Sequence, residues 1–205
     1  MDIEKNLNTI SNKLSNYDAK LIPVVKNRTI DEVKEVYNCG FREFGENRIE
    51  DFLIHSNELN DAIFHFIAPL QSRKIKSIFE NFEYIHTVSR LKEIDIISKF
   101  ENKRNILLQI NIDKDKNKSG VDPELIFEYF EYSKNKNNIP IGIMCIPNIE
   151  SDPKKVFSRM QQINSKLKSR YINYKGELSM GMSGDYEIAL DYGATIIRVG
   201  TKIFT

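Results

Sequence analysis

The chain has 205 residues, of which 40% are hydrophobic, so it is long and apolar enough to form one domain with a buried core. Its 30 Lys and Arg residues nearly balance 29 Asp and Glu residues, and a formal net charge of +1 predicts neither a nucleic-acid nor a membrane-surface partner. The first ten residues lack a signal-peptide core and no apolar run could span a membrane, which predicts a cytoplasmic protein.

The hydrophobic periodicity predicts helices and strands in strict alternation along the chain. A helix over residues 2–16 comes first, with apolar residues at helical spacing. Strands are then predicted at 21–26, 41–47, 63–70, 84–88, 105–112, 139–146, 176–183 and 195–200. The helices between them are predicted at 29–40, 48–59, 72–82, 90–100, 122–134, 151–170 and 185–193.

Alternation of this kind predicts parallel strands joined by right-handed crossovers. Eight strands favour an α/β fold with a single closed (β/α)8 TIM barrel, and a doubly wound open sheet is the alternative. Seven helices lie between the strands, so the N-terminal helix is expected to cover the wall where an eighth would sit.

Candidate functional residues lie where the predicted strands end, because barrels of this kind carry their chemistry at the carboxyl ends of the strands. Lys26 ends the first strand, and Glu46 and Asn47 end the second. Ser183 follows the seventh strand, and the run Arg198-Val199-Gly200-Thr201 ends the eighth. All of these side chains are therefore predicted to face one mouth.

Two of these strand ends have the composition of a phosphate site. The sequence GMSGDYE follows strand seven ahead of a helix start, and VGT follows strand eight. Glycine permits close approach of the backbone to an anion, and Ser183 and Thr201 add hydroxyl donors. The alternative is ordinary turn chemistry between a strand and a helix.

Lys26 has two interpretations at the end of an apolar strand. A structural lysine would reach solvent or pair with Glu46. A functional lysine would form a Schiff base with a carbonyl compound, with partial burial favouring the neutral amine. A Schiff-base lysine beside a phosphate site predicts a phosphorylated aldehyde as the ligand.

Several segments, in order, resemble the pyridoxal phosphate homeostasis protein family, and more distantly the N-terminal barrel of alanine racemases. The matching segments are VVKNRT, FGENRIED, FHFIAPLQSRK, HTVSRL, LLQINIDKDKNKSG and ELSMGMSGDYEIALDYGATIIRVGTKIF. The resemblance implies one domain over residues 1–205 that binds pyridoxal 5′-phosphate (PLP). The chain departs from the family pattern at Val25, Ala68 and Arg73.

The resemblance also implies a role for each matching residue. Lys26 would hold PLP as a Schiff base, and Ser183, Gly200 and Thr201 would bind its phosphate. Arg198 would face the pyridine nitrogen, and Asn47 is predicted to donate to the ring hydroxyl. An arginine keeps its proton, so the ring nitrogen would stay unprotonated and the cofactor would be a weak electron sink.

Other polar residues are predicted to be structural. His65 and His86 are expected to be hydrogen-bonded core residues and His55 an exposed one, and three scattered histidines give no metal signature. Cys39 and Cys145 are expected to be reduced and buried. Lys118 either approaches the cofactor or is a solvated loop lysine.

The resemblance implies homeostasis of PLP by buffering or delivery to PLP-dependent apo-enzymes, without significant turnover. The alternative is a small PLP-dependent amino-acid racemase, which needs an acid/base group on each face of the substrate. No tyrosine of the chain matches the second base of alanine racemases, so the non-catalytic interpretation is favoured. A third interpretation is an aldolase or isomerase with Glu46 as base. A monomer is expected.

Overall fold

A computed structural model describes residues 2–205, in which every predicted strand and helix is present. The strand Tyr84–Val88 has the predicted bounds, and the other seven strands are shorter than predicted, because several predicted ends lie in the adjoining loops. The strands are β1 Lys20–Pro23, β2 Glu43–Glu46, β3 Ile63–Phe66, β4 Tyr84–Val88, β5 Asn105–Gln109, β6 Gly142–Met144, β7 Glu177–Ser179 and β8 Ile196–Val199.

Eight α-helices accompany the strands. Short 3-10 turns at Ser72–Lys74 and Pro123–Leu125 precede two of them. The helices are α1 Ile3–Leu14, α2 Ile30–Asn38, α3 Ile49–Glu58, α4 Ile75–Asn81, α5 Leu91–Ile97, α6 Ile126–Asn135, α7 Pro153–Arg170 and α8 Tyr186–Asp191.

All strand pairs are parallel, in the order β1-β8-β7-β6-β5-β4-β3-β2. The two edges of this sheet meet just beyond β1, where Val24 bridges Gly45 and the Val25 N–H donates to the Gly45 carbonyl at 3.0 Å. This contact closes the sheet into the predicted barrel. The open doubly wound alternative is therefore wrong.

Helix α1 covers the gap between the last and first strands, as predicted. Asn6 donates to the carbonyl oxygens of Ile203 and Thr205, each at 3.0 Å. Near its C-terminal end, Lys13 pairs with Glu187 of α8 at 3.2 Å. The helix thus closes the outer layer between α8 and α2.

Helix α2 begins at a capping box three residues beyond Lys26. The Thr29 hydroxyl accepts from the Glu32 N–H at 3.3 Å, and Glu32 accepts from the Thr29 N–H at 2.8 Å. These bonds satisfy backbone donors that a helix start leaves free. They fix where the loop that carries Lys26 ends.

The two cysteines differ from one another. Cys145 is buried in the core as predicted, and burial raises the pKa of its thiol to about 12. Cys39 is exposed, so its predicted burial is wrong. It caps the C-terminal end of α2, where the chain has already left the face that packs on the barrel.

The barrel interior is partly polar. His65 and His86 are fully buried and hydrogen-bond to one another at 2.9 Å, which confirms both as core residues. Towards the amino-terminal end of the barrel, His65 Nε2 lies 2.8 Å from Glu43 Oε2. Lys20 donates to the same oxygen at 2.6 Å. The bonds from His65 and Lys20 lower the pKa of Glu43 to about 2.

Replacing Glu43 with glutamine is expected to reduce the acid sensitivity of the fold. Because the folded-state pKa lies below the usual 4.5, ionised Glu43 contributes stability above pH 4.5, and this is lost as the pH falls towards about 2. The difference in unfolding free energy between pH 7 and pH 3 should shrink by on the order of 1–3 kcal/mol, measured by urea unfolding. An equal pH dependence in Glu43→Gln and in the exposed control Glu101→Gln would contradict this expectation.

Within residues 2–205, no helix combines the length and apolar character that crossing a membrane requires.

Candidate cofactor site

A cavity of about 400 Å³ opens at the carboxyl ends of the strands. It brings together all six residues that the sequence marks as cofactor-binding. Its polar lining consists of Lys26, Asn47, Ser183, Arg198 and Thr201, together with the backbone of Gly184 and Gly200.

Lys26 lies on a turn beyond β1. The strand ends at Pro23, and the Arg28 N–H donates to the Val25 carbonyl at 3.1 Å across the turn. Asn27 takes the left-handed conformation there, with φ of 57°. Lys26 is exposed, so the partial burial predicted for it is wrong. Among residues 2–205 it forms no ion pair, and the expected alternative pairing with Glu46 is not seen.

The loops after β7 and β8 form one polar cradle. The Lys202 N–H donates to the Ser183 hydroxyl at 3.2 Å, which ties the two loops together. Within the described chain, the backbone N–H groups of Ser183, Gly184, Gly200 and Thr201 donate to no protein atom. Free N–H groups converging with two hydroxyls are an arrangement that binds phosphate.

Gly200 allows a close approach of backbone segments in this cradle. A Cβ atom at this position would lie 3.2 Å from the Val24 carbonyl oxygen and 3.3 Å from its Cβ. The glycine therefore lets the loop after β8 pack closely against the end of β1. That contact places Thr201 and Lys26 on the same cavity.

Arg198 is 3% exposed and lines the inner end of the cavity. Its guanidinium donates to the Ser179 hydroxyl and, at 2.9 Å, to the Cys145 carbonyl. No carboxylate oxygen of residues 2–205 lies within 4.0 Å of it. Burial lowers the pKa of Arg198, yet a guanidinium remains charged at neutral pH. The cavity thus contains a buried cation without an anionic partner.

Asn47 follows β2 and presents a side-chain amide to the cavity. Its Oδ1 atom is buried without a hydrogen-bond partner among residues 2–205. An unsatisfied buried polar atom costs free energy, so this amide fits a ligand that exchanges hydrogen bonds with it.

Glu46 and His55 form a buried pair beside this site. His55 is 2% exposed, and its Nδ1 lies 3.2 Å from Glu46 Oε1. The prediction of an exposed His55 is therefore wrong. His55 and Phe52 are the buried residues of α3, so this face of the helix turns towards the barrel. Its Nε2 lies 3.3 Å from the Arg28 carbonyl, directly behind the Lys26 turn.

The apolar part of the cavity was not predicted from the sequence. It consists of Val24, Ile67, Ala68, Pro69, Ile146 and Met182. Only the strand assignment itself could have indicated these residues, since all six lie within the predicted strands. Ala68, which departs from the family pattern, is thus a wall residue.

The other two departures from the family pattern, Val25 and Arg73, lie outside the cavity, and so does Lys118. Val25 is buried in the core and Arg73 is exposed on the 3-10 turn before α4. Lys118 donates to the Ile146 carbonyl at 3.4 Å and lines a separate, smaller pocket. No group of three or more His, Cys, Asp or Glu side chains within residues 2–205 is arranged to hold a metal ion.

The site combines a free primary amine, an anion cradle, a buried cation and an apolar wall. An amine of this kind condenses with aldehydes, while the cradle suits a phosphate group. An apolar wall with a few convergent polar groups is typical of a small-molecule site. The geometry therefore fits a flat, partly apolar ligand that carries an aldehyde and a phosphate.

Comparison with known proteins gives matches over the same length. A family model described as "Alanine racemase, N-terminal domain" matches residues 2–205. The pyridoxal phosphate homeostasis protein of Aquifex aeolicus is 36% identical over 196 residues, which cover 91% of this chain and 86% of that protein. The protein of that name from Synechocystis is also 36% identical, over 90% of each chain.

A solved structure extends the similarity to the fold. PipY of Synechococcus elongatus PCC7942, determined with PLP bound, is 29% identical and superposes with a TM-score of 0.86. The match covers 99% of this chain and all of PipY.

Proposed function

Since this chain belongs to the pyridoxal phosphate homeostasis protein family, we propose that its cavity binds PLP and that the protein takes part in PLP homeostasis. One observation carries this proposal: Lys26, Arg198 and the cradle that contains Ser183 and Thr201 all line the same cavity. PLP offers an aldehyde, a phosphate, a ring hydroxyl and a ring nitrogen. Each has a chemically matched group in the lining.

Lys26 would hold the cofactor covalently. Its primary amine is the group that would condense with the PLP aldehyde, with loss of water. Its exposed position on a turn leaves the amine free of any competing ion pair among the described residues. The cradle of Ser183, Gly200 and Thr201 would meanwhile neutralise and orient the phosphate.

Arg198 and Asn47 would contact the ring. Arg198 would lie beside the ring nitrogen and donate a hydrogen bond to it. Because a guanidinium does not release its proton, the ring nitrogen would stay unprotonated. Such a ring is a poor electron sink for carbanion chemistry. The Nδ2 group of Asn47 would donate a hydrogen bond to the ring hydroxyl.

We also infer that the bound cofactor does not support significant turnover. Two-sided racemisation needs an acid/base group on each face of the substrate. The cavity lining among residues 2–205 includes no Tyr, His, Cys, Asp or Glu side chain, which leaves Lys26 as the single candidate base. Glu46, the base that an aldolase or isomerase would need, is fully buried outside that lining.

PLP-loaded protein is therefore expected to interconvert amino-acid enantiomers far more slowly than an enzyme does. Chiral chromatography of L-alanine and other L-amino acids after incubation measures this directly. Turnover of about 1 per second or faster would be typical of an enzyme and would establish the racemase alternative. A PLP-loaded Lys26→Ala sample serves as the control for the background reaction of the cofactor.

We further propose that the protein is monomeric and cytoplasmic and that residues 1–205 form one domain. Its role would be to buffer PLP or to pass it to PLP-dependent apo-enzymes. The nearly balanced charge of the chain supports a small-molecule ligand and protein recipients rather than nucleic acid or a membrane surface. Transfer of PLP from loaded protein to an apo-enzyme, followed by the recovery of that enzyme's activity, tests the delivery role.

A further inference from the structure

A continuous line of polar side chains crosses the barrel interior and ends at Arg198. Glu43 Oε2 lies 2.8 Å from His65 Nε2, and His65 Nδ1 lies 2.9 Å from His86 Nε2. His86 Nδ1 lies 2.9 Å from the Ser179 hydroxyl, which also contacts the Arg198 guanidinium. The line therefore joins the amino-terminal end of the barrel to the cofactor cavity at its carboxyl-terminal end.

The chemistry of these groups allows one arrangement of protons when both imidazoles are neutral. The ionised Glu43 carboxylate can only accept, so His65 carries its proton on Nε2 and donates it to Glu43. Neutral His65 then accepts at Nδ1 from His86 Nε2–H. His86 Nδ1 therefore accepts the Ser179 hydroxyl proton, and the Ser179 oxygen accepts from Arg198, whose guanidinium can only donate. Every donor in the line thus points away from Arg198.

The surroundings of the two histidines favour their neutral forms. Burial lowers the pKa of His65, and it lowers that of His86 to well below the usual value, with further contributions from His65 and Arg198. Their charged neighbours sit at the two ends of the line: Arg198 on β8 at one end, and Glu43 on β2 with Lys20 on β1 at the other. The Tyr84 ring of β4 stacks on His65 with centroids 4.1 Å apart.

We propose that Glu43, His65, His86 and Ser179 are positioning residues that hold the Arg198 guanidinium in one orientation towards the cofactor cavity. Arg198 has no carboxylate neighbour among residues 2–205, so two neutral oxygens, of Ser179 and Cys145, fix its plane. With its proton donated to His86, the Ser179 hydroxyl presents its oxygen lone pairs to Arg198. This inference rests on the proposed PLP site, where Arg198 faces the ring nitrogen.

A PLP analogue whose ring nitrogen is replaced by C–H separates positioning of Arg198 from general support of the fold. Wild-type protein is expected to bind PLP about tenfold more tightly than this analogue, which is the effect of one hydrogen bond to a charged donor. In His86→Phe the ratio of the affinity for PLP to that for the analogue should fall to between about one and about two. In His86→Asn, whose amide oxygen can accept from Ser179, most of the preference should return.

Tyr174→Phe is the matched control. The Tyr174 hydroxyl donates to Asn164 at 2.6 Å in another buried polar contact, which lies away from the cavity. Its loss should lower the melting temperature without changing the preference for PLP. Should His86→Phe fail to fold, Ser179→Ala removes with a smaller change the oxygen that accepts from Arg198, and it is expected to give the same loss of preference.

Two results would overturn the inference. One is an unchanged PLP preference, or an equal weakening of both ligands, in His86→Phe and Ser179→Ala. The other is a proton on His86 Nδ1 in ¹⁵N spectra of the ligand-free protein, since the proton on both histidines is expected on Nε2. Failure of the PLP proposal would be recognised separately, because wild-type protein would then bind neither ligand.

Discussion

Lys26→Ala protein is expected to show with PLP only the absorbance of the free aldehyde, without the shifted band of a Schiff base, and to bind PLP about 100-fold or more weakly than wild type, a loss of about 2.7 kcal/mol or more. The Schiff-base band requires a C=N bond, and among residues 2–205 that line the cavity Lys26 carries the one primary amine. The phosphate cradle and Arg198 remain in this variant, so weak non-covalent binding should persist. Absorbance titration and equilibrium dialysis measure the two effects.

Lys118→Ala is the control for this experiment. Lys118 is a second lysine near the mouth, but it lines a different pocket and donates to the Ile146 carbonyl. It should retain the band and the affinity of the wild type. A band of undiminished intensity in Lys26→Ala would show that another amine holds the cofactor.

A double variant, Ser183→Ala with Thr201→Val, should lose about 150-fold or more in affinity for PLP while its affinity for pyridoxal, which lacks the phosphate, stays unchanged. Each hydroxyl is predicted to donate to the phosphate, and a hydrogen bond to a charged group contributes roughly 1.5–3 kcal/mol. The backbone N–H groups of the cradle remain, so some preference for PLP over pyridoxal should survive. Titration of both compounds gives the ratio of the two dissociation constants.

The same chemical changes at Thr9 and Ser98 provide the control. Both residues lie on the outer helical layer, and their hydroxyls bond only to helix carbonyls. Thr9→Val with Ser98→Ala should leave both affinities unchanged. Equal weakening of PLP and pyridoxal by Ser183→Ala with Thr201→Val would place the phosphate elsewhere.

The order of the strands and helices could be predicted from the sequence because alternating apolar segments leave few parallel folds open. Their exact bounds could not. The segment 139–146 is apolar throughout, yet β6 pairs only over Gly142–Met144, since hydrogen bonding to neighbouring strands and not hydropathy defines a strand. The loop that follows supplies Ile146 to the cavity.

The cofactor-contacting residues could be placed in one mouth because parallel strands end at the same side of a barrel. Side-chain environments were less accessible to sequence reasoning. Lys26 is exposed because the chain turns after Val25, and His55 is buried because α3 rotates that face towards Glu46. The contact of His86 with Ser179 joins residues 93 positions apart, and it depends on the barrel geometry.

Borohydride reduction of the PLP-loaded wild-type protein, followed by peptide mapping, tests the central claim most directly. Reduction converts the C=N bond into a stable amine, so the mass of the reduced cofactor should appear on the peptide that contains Lys26. It should be absent from reduced Lys26→Ala protein. Cofactor fixed to a different lysine, or no fixed cofactor in the wild type, would contradict the account.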